Sequence, residues 1–174
     1  AFKRDGIIHN SKFDKYDFLT KELCAVVNPH QELKSLEEAF VGADVFIGVS
    51  VADCVSESMV ASMNTDAMVF ALANPNPEIP YDLAKKAGAR MVGTGRSDFP
   101  NQINNVLAFP GLFKGALNVR AKAITESMKI AAAYGIASCI SDAELRDDYL
   151  VPSPFDSRVA LAVARAVEDE VNNI

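Results

Sequence analysis

The sequence predicts an α/β fold: a mostly parallel sheet covered by helices and followed by a helical tail. Three observations predict it. Short β-type runs alternate with amphipathic stretches as far as Gly93. A capping-box spacing, Ser35 with Glu38, stands just ahead of one such run. After Pro110-Gly111 the extended runs cease and apolar residues recur at helical spacing.

In order along the chain, Phe2 ends an early strand, Ile7-Ile8 is a brief extended piece, and Lys15 to Val27 is a helix. Ser35 to Phe40 then forms a helix that feeds the buried strand Asp44 to Val49. The beat repeats with Ser56 to Met63 as helix, Ala67 to Ala71 as strand, Tyr81 to Ala87 as helix and Arg90 to Gly93 as strand. In the tail, Leu112 to Leu117 reads as a short helix. Arg120 to Ala137 is helical because Ala123, Ile124, Met128, Ala131 and Ala132 share one face. Ser141 and Glu144 repeat the capping-box spacing and predict another helix start, and Arg158 to Val171 is the final helix.

With 174 residues, 49% of them hydrophobic, the chain is long enough to bury a sizeable core. A net charge of −6 without a Lys/Arg run excludes nucleic acid and anionic membranes as partners. No apolar run approaches a membrane span, and Ala1 to Gly6 lacks the apolar core of a signal peptide. The absence of an initial Met reads as a chain that starts in mid-protein or has been trimmed. Cys24, Cys54 and Cys139 are odd in number, widely spaced and set in apolar surroundings, so they read as buried hydrophobes in a reducing, cytoplasmic compartment. Without a C-x-x-C pair, and with only His9 and His30, a Cys/His metal site is set aside.

Ligands of open parallel sheets bind outside the carboxyl ends of the strands, so the chemistry belongs in the segments that leave them. Gly48-Val49-Ser50-Val51-Ala52-Asp53 ends a strand on a glycine, which admits a close approach or simply makes the turn. Asn74-Pro75-Asn76-Pro77 is stiffened by its prolines; its amides can donate and accept toward a carboxamide or hydroxy acid, or merely initiate a turn. Gly93 to Val106 is very polar, with Asn101, Gln102, Asn104 and Asn105 close together, so it is either solvated or holds a polar ligand. A loop-stabilising ion pair with Asp98 is the simpler role for Arg96. Asp147-Asp148 and Glu168-Asp169-Glu170 read as solvated faces. No G-x-G-x-x-G follows a strand, because Gly93-Thr94-Gly95 lacks the third glycine and a helix.

Phe70-Ala71-Leu72-Ala73-Asn74-Pro75 and the long run Gly95 to Gly111 resemble motifs of the malic enzymes, in the style of the shorter prokaryotic type. Gly42 to Ser50, Gly115-Ala116-Leu117, Arg120-Ala121 and Pro154 to Val159 support the resemblance, which covers essentially the whole chain. It implies a Rossmann-like, doubly wound sheet with its first βαβ unit missing. Residues 1–111 would be a partial NAD(P)-binding domain and 112–174 a helical segment packed on it. It further implies oxidative decarboxylation of L-malate to pyruvate and CO2 with NAD or NADP, Mg²⁺ or Mn²⁺, and a homodimer.

By the same resemblance Asn74 and Asn105 contact malate and the nicotinamide, while Asn104 and the backbone of Val49 and Ser50 line the cofactor side. Lys3 stands where the family carries an acid that reads the adenosine ribose, and a lysine there tolerates a 2′-phosphate. Asp53 departs from the family's small residues; it would weaken cofactor binding or point to solvent. The family's tyrosine acid, lysine base, metal carboxylates and Gly-rich loop precede this region, so no catalytic or metal residue is assigned in the chain, which should be silent alone. Two alternatives remain: a relative that converts malate to lactate, and a non-catalytic nucleotide-binding or assembly module with an open strand edge.

Overall fold

In the computed structural model, which describes residues 1–172, the chain opens on a two-stranded antiparallel ribbon of β1 (Phe2–Lys3) and β2 (Gly6–Ile7). The two extended pieces expected near Phe2 and Ile7 are therefore each other's partners. A 3-10 turn over Asn10–Lys15 leads to α1 (Phe18–Cys24). This helix is shorter than the expected Lys15 to Val27. Asp17 caps it by accepting from the Thr20 N–H at 2.9 Å, and Tyr16 before it is extended. Ile8, Tyr16 and Cys24 make a small core beneath.

The central layer is a parallel sheet of β3 (Val45–Gly48), β4 (Met68–Ala71) and β5 (Met91–Thr94), with β4 in the middle. Three short helices connect to it: α2 (Leu36–Phe40), α3 (Glu57–Ala61) and α4 (Tyr81–Lys86). The Ser35–Glu38 capping box forms as expected, with the Ser35 N–H donating to the Glu38 carboxylate at 2.7 Å and the Glu38 N–H to Ser35 Oγ at 3.1 Å. Side chains alternate across the sheet. Phe46, Val69 and Val92 share one face and pack with Phe40, Met59, Val60, Ile79 and Ala84. Burying Val69 and Val92 stabilises the fold by about 1.5–3 kcal/mol each. On the opposite face Val45 and Ile47 are exposed.

The tail holds α5 (Phe109–Asn118), α6 (Glu126–Ala137) and α7 (Ser157–Asn172). α5 begins three residues before the expected Leu112, because Pro110 lies in the first turn, where an N–H has no intrahelical partner to lose. Arg120 does not start the next helix. It adopts φ +54° and terminates α5, with the Ala121 N–H donating to the Ala116 carbonyl at 2.9 Å, and α6 waits for its Thr125 cap.

The helix expected from Ser141 is absent. The Glu144 carboxylate does accept from the Ser141 N–H at 3.0 Å, but the chain makes only one turn before residues 147 and 150 are held by Arg90 and Asn101, which flank β5. There Asn101 donates to the Asp147 carbonyl at 2.9 Å and accepts from the Leu150 N–H at 2.7 Å, while Arg90 Nε lies 3.1 Å from the Asp147 carboxylate. Asp147 is thus a partner in an ion pair and not merely a solvated face.

α7 crosses close to α5. A Cβ placed on Gly111 would lie 2.6 Å from the Val163 Cβ, and one on Gly115 would lie 2.6 Å from the Ala164 carbonyl oxygen. Leu107, Leu112, Met128, Ala132, Val159, Val163 and Val167 fill the core of this helical layer. Among the described residues no helix is long and apolar enough to cross a membrane. Asn173 and Ile174, the end of the expected 112–174 segment, lie outside the described residues.

Candidate functional site

The register of the sheet brings Gly48, Ala71 and Thr94 level with one another, so the three chain segments that leave the strands depart from one rim. The segment after β5 loops out and returns beside its own strand. The Ile103 N–H donates to the Thr94 carbonyl at 2.8 Å, and Thr94 and Gln102 form a parallel bridge. That return sets Asn104 and Asn105 at the rim. Asn104 caps a 3-10 turn over Asn105–Leu107 by accepting from the Val106 N–H at 3.0 Å.

A groove of about 370 Å³ lies between the segments after β4 and β5, lined by Ala73, Asn74 and Pro75 on one side and Gly95 to Asp98, Gln102 and Asn104 on the other. Two expected site residues, Asn74 and Asn104, therefore meet in it. Asn105 stands next to Asn104 at the rim, exposed. Val49 and Ser50 leave the neighbouring strand and do not line the groove. Lys3 belongs to the separate ribbon, where its ammonium lies 2.8 Å from Asp17 and 2.8 Å from Thr20. The hydrogen bond from Lys3 holds the Asp17 carboxyl far below the usual carboxylate range, and the same bond raises Lys3.

The charges at the groove cancel. Arg96 and Asp98 pair through two hydrogen bonds of 2.8 and 2.6 Å, which lower the Asp98 carboxyl and raise the Arg96 guanidinium. Arg96 also lies over the Phe99 ring, which stacks on Tyr81 with centroids 4.9 Å apart. The loop-stabilising ion pair read from the sequence is thus present. What remains to meet a ligand is neutral amide chemistry from Asn74, Gln102 and Asn104, with donors and acceptors side by side. This donor set fits a carboxamide or a hydroxy acid. It does not fit a pyrophosphate, since no helix opens on Gly93-Thr94-Gly95. Among the described residues no three His, Cys, Asp or Glu side chains gather to hold a metal ion.

Two residues that sequence reasoning left without a role organise the rim. Asn101 is buried at φ +55°; besides its bonds to residues 147 and 150 it donates to the Val92 carbonyl at 3.0 Å. Its satisfied amide is a tie between layers, unlike the exposed Asn104 and Asn105. Glu78 is the other. Its carboxylate fills the space beside Gly48, where a Cβ would lie 2.5 Å from Glu78 Cδ. The opening at Gly48 is occupied by the protein itself. The cysteines also separate: Cys24 and Cys139 are buried, whereas Cys54 is half-buried, with its sulfur 3.5 Å from Ser50 Oγ.

Residues 2–171 match the family model described as "Malic enzyme, NAD binding domain". The chain is 54% identical over 162 residues to the bifunctional malic/malolactic enzyme of Bacillus subtilis, covering 93% of this chain and 40% of that protein. It is 47% identical to the NAD-dependent malic enzyme of Geobacillus stearothermophilus, covering 96% of this chain and 33% of that protein. The crystal structure of the Entamoeba histolytica malic enzyme superposes with a TM-score of 0.92 at 39% identity, over 99% of this chain and 37% of that one. The chain thus spans between a third and two-fifths of the length of these two curated relatives. A match over nearly every residue, carried by the strands that form the rim and by the helices behind them, means that this chain belongs to the malic enzyme family as its NAD-binding domain.

Proposed function

We propose that the whole protein containing this chain oxidises and decarboxylates L-malate to pyruvate and CO2 while reducing NAD or NADP, and that this chain is its cofactor side. The observation that carries the reading is the neutral groove at the level strand ends, lined by both Asn74 and Asn104, in a domain of this family. When bound, the nicotinamide supplies the acceptor for the hydride that leaves the malate carbinol carbon.

The residues of this chain orient the reactants. The Asn74 and Asn105 amides hold malate and the carboxamide in one relative geometry, donating through NH2 and accepting through oxygen. Asn104 and the backbone of Val49 and Ser50 bound the cofactor side, and Lys3 lies toward the adenosine ribose, already engaged by Asp17. The asparagine amides do not titrate near neutral pH, so they orient the reactants and transfer no proton. The acid, the base and the ligands of Mg²⁺ or Mn²⁺ belong to residues outside this chain, which alone should be catalytically silent. Residues 1–111 act as the nucleotide-binding unit and 112–174 as the helical segment packed on it, and a homodimer in the cytoplasm completes the reading.

A second reading has a specific observation in its favour, because the Bacillus subtilis relative's name includes malolactic activity. On that reading the same groove yields lactate, with the nicotinamide reoxidised before release. The test is malate-dependent reduction of NAD and of NADP by the longest native polypeptide, with Mn²⁺ present and pyruvate and lactate assayed together. Asn105→Ala should lower kcat/KM by about a hundredfold. Lactate without net cofactor reduction selects the second reading; no malate consumption with either cofactor rejects both.

A further inference from the structure

Glu78 is the only charged side chain in the buried interior of the described residues, at 0% exposure. An isolated buried carboxylate is costly, so its bonds must explain it. Oε1 accepts from the Ser50 N–H at 2.7 Å and from the Ser50 hydroxyl at 3.2 Å, and Oε2 accepts from the Ala73 N–H at 3.0 Å. The surrounding backbone repeats the link: Val55 N–H donates to the Glu78 carbonyl at 3.0 Å and Asp53 N–H to the Pro77 carbonyl at 3.1 Å. No cation pairs with Glu78 among the described residues. Its charge is spent on two backbone donors that belong to different strand exits.

We propose that Glu78 is a positioning residue for the cofactor side of the rim: one oxygen fixes the chain leaving β3 at Ser50, the other fixes the chain leaving β4 at Ala73, and Asn74 is placed as a result. The inference rests on the reading of this rim as the nicotinamide and malate site. Only a carboxylate offers an acceptor on both oxygens; an amide must turn its NH2 toward one of the two N–H groups, leaving a donor facing a donor. Gly48 completes the device, since any side chain there would press on the carboxylate. The arrangement couples two loops that the sequence separates by more than twenty residues.

The experiment uses the longest native polypeptide containing this chain. Hydrogen exchange is followed in the wild type and in Glu78→Gln, together with NADH affinity by fluorescence and the KM and kcat for malate. In the wild type the Ser50 and Ala73 amides should be protected. In E78Q, exchange should rise about tenfold or more at one or both of these amides while β4 and α7 keep their protection, NADH should bind about tenfold more weakly, and KM should change more than kcat.

Gly48→Ala, which keeps the carboxylate but displaces it, should give the same pattern if E78Q does not fold. Unprotected Ser50 and Ala73 amides in the wild type, or E78Q with wild-type NADH affinity, would overturn the proposal. So would a loss of binding that comes only with exchange rising throughout the domain, which marks a structural role alone. A wild type that neither binds NADH nor consumes malate rejects the functional reading instead, and the exchange data still judge the clamp by itself.

Discussion

The ammonium of Lys3 already has two partners, so any ligand phosphate must compete with Asp17 for it. The pH dependence of this pair follows from the two shifts. Asp17 is held low, so its contribution is complete above the ordinary Asp range, about 3.9, and is lost as pH falls through the lower folded value. Lys3 is held high, so its contribution is complete below the ordinary Lys range, about 10.4, and is lost as pH rises through the higher folded value. Both groups are exposed, and the pair's effect is small. Asp17→Asn keeps a good helix cap and removes only the charge. The difference in urea midpoint between wild type and this variant should stay constant between about pH 5 and about pH 9 and close in stronger acid, as Asp17 protonates, or in stronger base, as Lys3 loses its proton. A difference that closes near neutrality would contradict the pairing.

At the same scale, Asn74 was legible because two prolines mark it, and the Arg96–Asp98 pair because it spans one residue. Glu78 was not. Nothing in Pro77-Glu78-Ile79-Pro80 announces a buried carboxylate, since its donors at Ser50 and Ala73 are backbone groups, which every residue carries. Asn101 hid for a related reason: it stands among polar neighbours that are exposed, and only the fold sorts the buried amide from the others.

At the scale of elements, helix starts were legible at Ser35 and Ser56 and missed at Asp17 and Thr125, although those caps are equally local. Ser35 with Glu38 opened α2, whereas the identical spacing of Ser141 with Glu144 opened nothing, because Arg90 and Asn101 hold the residues that would have continued the helix. Arg120 was misplaced because the turn it makes depends on backbone bonds to α5 and not on its side chain. The approach of α5 to α7 was equally invisible, for the glycines that allow it say nothing about what lies opposite. Gly115→Ala should destabilise the domain by about 1–3 kcal/mol, since a methyl group has no room against a backbone carbonyl. Leu117→Ala, on the exposed face of the same helix, should stay within about 0.5 kcal/mol. Equal effects in urea unfolding would show that α5 and α7 are not in such close contact.

For the whole molecule, the sheet and the helical layer carry separate apolar cores. The polar ties from Asn101 and Arg90 to residues 147 and 150 join them. Cooperative unfolding of a domain requires that neither part open without the other. Asn101→Ala removes three hydrogen bonds and should split or broaden the calorimetric transition, with the lower part belonging to one layer. A single sharp transition at a reduced temperature would mean that apolar contact, and not these ties, couples the cores.

The Arg96–Asp98 pair has a bearing on how a ligand arrives. These are the charged residues that line the groove, and they neutralise one another, while the chain as a whole carries a net charge of −6. For an anion such as malate or a dinucleotide, the long-range field of this domain is repulsive and the groove offers nothing to reverse it. Added salt screens that repulsion instead of weakening an attraction, so capture at this surface would speed up as ionic strength rises from very low values. On the proposed reading the domain would recognise its ligand by shape and amide geometry at contact, and leave electrostatic guidance to whatever else borders the groove.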